Sequence, residues 1–88
     1  MTVFDEYTSR VKELVRSLEG TLSPEGIREA EDLVDHGEAP LGMVALAWAI
    51  VNEGIFVPAD TIARLREYSA GFELPDFPPN LDHFTARD

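Results

Sequence analysis

Leu41-Gly42-Met43-Val44-Ala45-Leu46-Ala47-Trp48-Ala49-Ile50-Val51 decides the fold, because it carries no charge and no polar side chain on any face. A helix that is apolar all round belongs in the middle of a bundle. The run is far shorter than the ~20 apolar residues that span a bilayer. Trp48 therefore reads as core. Pro40 opens this helix, Asn52 and Glu53 end it, and Gly54 supplies its left-handed stop.

Working outward, Ile55-Phe56-Val57 is too short to count as a strand and reads as an extended link with buried side chains. Pro58 then starts another helix, with Ile62, Leu65 and Tyr68 on one face and Gly71 closing it. Toward the N-terminus, Ser23-Pro24-Glu25 is a helix start. Ser23 caps, Pro24 fits the first turn, and Glu25 meets the positive helix end. Ile27, Ala30, Leu33 and Val34 face inward there, and Gly37 stops the helix after His36. Upstream, Phe4, Tyr7, Val11, Leu14, Val15 and Leu18 make one stripe at helical spacing, predicting a first helix over Val3 to Glu19.

Beyond Gly71, Pro75, Pro78 and Pro79 prevent a long helix. Phe72, Leu74, Phe77, Leu81 and Phe84 are too apolar for a solvated tail, so this segment is expected to lie across the bundle, with Asn80 capping a short terminal turn. The expectation is an all-α domain: residues 1–71 form a small bundle of about four helices, and residues 72–88 form a Pro-rich extended segment packed on it.

Composition narrows the function. Of 88 residues, 17 are Asp or Glu and 7 are Lys or Arg, giving a formal charge of −10. A nucleic acid or an anionic membrane is a poor partner for such a chain. The one local basic spot, Arg64 and Arg66, is too small to change that. There is no cysteine, which removes disulfides, thiolate zinc sites and thiol nucleophiles, and suits a reducing cytoplasm. The first ten residues do not read as a signal peptide.

Chemistry is hard to place. Asp32 and His36 are four apart on one helix, but two ligands do not make a zinc site. No carboxylate falls in an apolar stripe where burial would raise its pKa for acid–base work. No Gly-rich phosphate loop is present. The expectation is a protein that is not an enzyme and takes no cofactor or metal.

The acidic residues are concentrated. Glu25, Glu29, Asp32 and His36 form an outward stripe flanked by Glu31 and Asp35, with Glu38 just beyond and only Arg28 among them. The first helix instead balances Asp5, Glu6, Glu13 and Glu19 against Arg10, Lys12 and Arg16. Such a face is either simply solvated or steers a basic partner. In the second case the binding residues are Glu25, Glu29, Asp32, Asp35 and Glu38.

The turn Asp35-His36-Gly37-Glu38, followed by Pro40-Leu41, Ala45-Leu46, the link Ile55 to Pro58 and the Asp60-Thr61 helix start, resembles the small MafI-like immunity proteins of bacterial polymorphic toxin systems. The resemblance covers roughly Glu25 to Tyr68. It implies a short cytoplasmic helical protein that binds and neutralises the C-terminal domain of a cognate toxin. A nuclease toxin is basic because it binds nucleic acid, and an acidic helix face complements it. The turn also has a purely structural explanation: Gly37 takes a positive φ, and Glu38 meets the free amides of the next helix. The alternative function is an acidic adaptor or regulatory interaction module, a homodimer among its forms, binding through Tyr68, Phe72 and Phe77.

Overall fold

The computed structural model describes residues 3–69 and 77–86. It contains four α-helices: α1 (Val3–Ser17), α2 (Pro24–Asp35), α3 (Ala39–Glu53) and α4 (Ala59–Ser69). A 3-10 turn follows at Leu81–Phe84. Among the described residues there is no β-strand, and extended pairing is limited to the single bridges Glu19–Leu22 and Val57–Thr85. The chain is an all-α bundle.

α3 is the central element, as its composition requires. It packs against α1, α2, α4 and the 3-10 turn. Met43, Leu46, Ala47 and Ile50 are fully buried in it. They meet Val11, Leu14 and Val15 of α1, Ile27, Ala30 and Val34 of α2, and Ile62 and Leu65 of α4 in one core. The apolar run is nevertheless not buried all round. Leu41 and Trp48 are among the exposed large hydrophobic residues, which corrects the expectation that Trp48 is core.

The α2–α3 contact is the most extensive in the bundle, and Gly42 sits in it. A Cβ placed there would lie 2.8 Å from Val34 Cγ2 and 3.1 Å from the Ala30 carbonyl oxygen. Neither neighbour is the free end of a flexible chain, so only glycine lets the two helices approach this closely.

Helix ends follow from local chemistry. The Gly37 N–H donates to Val34 O at 3.1 Å and the Glu38 N–H to Leu33 O at 2.8 Å. Gly37 has φ +80°. This is a Schellman ending, in which a left-handed residue lets the chain satisfy the last carbonyls. α3 ends likewise at Gly54, and Ile55 folds back to donate to Ile50 O at 3.2 Å. Pro40 occupies the second helical position rather than the first; Ala39 opens α3. Pro58 stands just outside α4, its carbonyl accepting from Thr61 N–H at 2.9 Å. α1 stops at Ser17 instead of Glu19, because the chain tightens into a turn at Leu18 before Gly20.

Contacts distant in sequence secure the far ends. The Tyr7 hydroxyl donates to the Tyr68 carbonyl at 2.8 Å, satisfying a C-terminal helix acceptor from across the bundle. Burial pushes the Tyr7 phenol above its ordinary pKa, keeping it a donor. In the C-terminal segment, Leu81 is fully buried, and Phe77 and Phe84 pack partly buried against the core. The Val57 N–H donates to Phe84 O at 2.9 Å and the Ala86 N–H to Val57 O at 2.7 Å. Arg66 donates to Asp82 from Nε at 3.3 Å and from Nη2 at 2.9 Å. Phe72, Leu74 and Pro75 lie outside the described residues. Asn80 precedes the 3-10 turn but makes no side-chain capping bond. In the link, Val57 is buried and Ile55 partly so. Phe56 is 55% exposed, contrary to expectation, resting its ring on Phe84 with centroids 5.6 Å apart.

Candidate functional site

α2 presents the acidic stripe, and its start is built as the sequence predicts. Ser23 is extended, and its hydroxyl accepts from the Gly26 N–H at 3.1 Å. A second acceptor, absent from the sequence expectation, comes from the end of α3. The Glu53 carboxylate takes the Ser23 N–H at 2.8 Å and the Ser23 hydroxyl at 2.7 Å. A carboxylate at a helix N-terminus is favoured by the free amides and the helix dipole. This pair ties the first turn of α2 to the last turn of α3.

Glu25, Glu29, Asp32, Asp35 and Glu38 are all exposed, but they do not form one surface. α2 has two flanks. On the flank toward α1, the Lys12 ammonium donates to Asp35 at 2.6 Å, and Arg16 reaches Glu31 at 3.7 Å. The hydrogen bond from Lys12 holds the Asp35 carboxyl below its ordinary pKa. Asp35 thus belongs to an intramolecular ion pair. On the crest and on the flank toward α3, Glu25, Glu29 and Asp32 make no ion pair among the described residues.

Glu38 stands apart in the Schellman turn. Its backbone carbonyl accepts from Gly42 N–H at 2.9 Å, but its side chain makes no capping bond to α3, correcting the expectation that its carboxylate serves those amides. His36 Nδ1 lies 2.6 Å from the Asp32 carbonyl oxygen. A carbonyl only accepts, so that nitrogen carries the proton and the ring finishes the helix. No group of three or more potential metal ligands occurs among the described residues.

The flank toward α3 has a feature that the sequence reading missed. Glu25 and Glu29 line an open trough with Ala45, Trp48, Asn52 and Glu53 of α3, about 380 Å³ in volume. Trp48 is 38% exposed in its wall. A signal for this was present in the run itself. Ala39, Gly42, Met43, Leu46, Ala47 and Ile50 recur at helical spacing and include the small residues that permit close packing. Leu41 and Trp48 fall out of phase with them.

The surface proposed for the adaptor alternative is less available. Tyr68 and Phe77 are partly buried against the core, and Phe72 lies outside the described residues. No helix among the described residues is long and apolar enough to cross a membrane.

No protein-family model matches this chain, and no curated protein or solved structure matches it either. Whatever the surface does must therefore be argued from its own chemistry.

Proposed function

We propose that this chain is a bacterial cytoplasmic immunity protein that binds and neutralises a basic, nuclease-type toxin domain, and that it does so without chemistry of its own. One observation carries this reading: Glu25, Glu29 and Asp32 stand exposed and without ion pairs among the described residues, and Glu25 and Glu29 line a trough with Trp48. Glu25 and Glu29 are like charges one helical turn apart, an arrangement that weakens a helix. Their cost to α2 is recovered on contact with cations. Complementary charge mainly accelerates and selects the encounter, while an exposed aromatic anchor supplies affinity. Inhibition follows from covering the basic surface on which such a toxin holds its substrate.

The resemblance at Asp35 to Glu38 supports the same class, but its turn is accounted for by helix termination, so the contact is assigned to α2 and α3 instead. The test is charge reversal. Glu29→Lys with Asp32→Lys should leave the helical circular dichroism unchanged and weaken binding to the toxin domain encoded beside this gene. Unchanged affinity in the folded double variant would remove α2 from the binding surface.

A further inference from the structure

The segment 77–86 is fastened to the helices differently from the way the helices are fastened to one another. Its buried side chains are few: Pro78 is buried and Leu81 fully so, while Phe77 and Phe84 are only partly covered. Asp82, His83 and Ala86 are exposed. The backbone bonds donated by Leu81, His83 and Thr85 close within the segment, on Pro78, Asn80 and Asp82. Its backbone is tied to the rest of the molecule at one residue of the α3–α4 link. Val57 N–H donates to Phe84 O at 2.9 Å, and Val57 O accepts from Ala86 N–H at 2.7 Å. The Arg66–Asp82 ion pair adds little, because both side chains stand in solvent.

Phe56 belongs to the same fastening. It is 55% exposed, and its ring neighbours, Phe84 at 5.6 Å and His83 at 6.4 Å between centroids, both lie in the segment. His83 in turn meets Phe84 edge-on at 5.3 Å. α3, by contrast, is held by α1, α2 and α4 whether or not the 3-10 turn also covers it. A unit that is bonded within itself and held by few buried side chains opens well below the cost of global unfolding. We infer that residues 77–86 are a latch, seated by Leu81 and caught by Phe56, that opens as a unit while the four helices stay folded. Opening bares the seat of Leu81 on α3 and releases the N–H and C=O of Val57. The latch is independent of the function proposed above.

Amide hydrogen exchange of the full-length chain, read residue by residue by NMR, separates local from global opening. In the wild type, the Val57 amide should exchange at least about tenfold faster than those of Ala47 and Ile50 in α3. Leu81→Ala should speed Val57 roughly a hundredfold and leave Ala47 and Ile50 within about twofold of the wild type. Phe56→Ala, at a position outside the core, should speed Val57 roughly fivefold and leave α3 unchanged. Both variants should keep the helical circular dichroism.

Equal acceleration of Val57, Ala47 and Ile50 in either variant would overturn the inference, since the segment would then open only with the whole bundle. So would loss of the helical signal in Leu81→Ala, wild-type exchange at Val57 as slow as at Ile50, or no response of Val57 to either variant. A response to Leu81→Ala alone would keep the latch and overturn the part given to Phe56.

Discussion

The two flanks of α2 carry the same kind of residue and do opposite things. Toward α1, Asp35 and Glu31 face Lys12 and Arg16, and their charge is spent inside the molecule. Toward α3, Glu25 and Glu29 border the uncharged run and Trp48, and make no ion pair among the described residues. The difference comes from the neighbours. α1 balances acids with bases on its outer face, whereas α3 has no charge between Leu41 and Val51 to offer. An acidic residue is a binding candidate only where the adjoining helix lacks a cation to occupy it.

The largest effects should separate the faces of α3. Ile50→Ala empties a fully buried site and is expected to cost about 2–5 kcal/mol in denaturant unfolding. Leu41→Ala, at an exposed position, should cost less than about 1 kcal/mol. Comparable losses at both positions would mean that Leu41 is packed rather than exposed. Gly42→Ala comes next. Its methyl would collide with Val34 and should destabilise the fold by about 1–3 kcal/mol. It should also disturb partner binding, because it moves α2 away from Trp48.

A smaller effect is expected at the junction that holds the open flank in place. Ser23→Ala removes the cap of α2 and the hydroxyl that reaches Glu53, and should lower stability by about 1 kcal/mol. Smaller still are the charge changes, and their signs should differ between the flanks. Glu29→Gln relieves a like-charge pair and should raise stability by a few tenths of a kcal/mol. Lys12→Ala should lower it.

Asp35 gives that contrast a pH signature. Its folded pKa lies below the ordinary value of 3.8 because Lys12 donates to it. Its stabilising contribution is therefore complete above the ordinary value and is lost as the pH falls through the lowered one. The stability difference between wild type and Asp35→Asn should be constant near neutral pH and shrink only in that acid range. A difference that persists unchanged below it would show that the pair is not what holds the flank.

Much of the fold was legible because helix ends are written in local chemistry. Ser23 and Pro24 start α2, and Gly37 and Gly54 stop their helices with positive φ, as backbone sterics demand. The stripes of Ile27, Ala30 and Val34 and of Ile62 and Leu65 identified their buried faces for the same reason. Trp48 and Phe56 were misplaced because hydrophobicity was taken as burial. In an all-apolar helix the face is set by where small residues allow a neighbour to approach, and Gly42 and Ala47 mark that face more reliably than the large side chains. The Glu53–Ser23 contact joins residues thirty apart, and nothing in the local sequence signals it. Of the candidate site, the exposure of all five carboxylates was legible. Their division into a paired and an open flank was not, since it depends on which helix lies on each side.

The most direct test of the account uses two baits in the chain's own host, the wild type and a folded Glu29→Lys, Trp48→Leu variant, each captured at low and high salt and read by mass spectrometry. The account predicts a basic toxin domain on the wild-type bait, released as salt rises and missing from the variant. Recovery of the same partner by both baits, or of an acidic partner held equally at high salt, would contradict it.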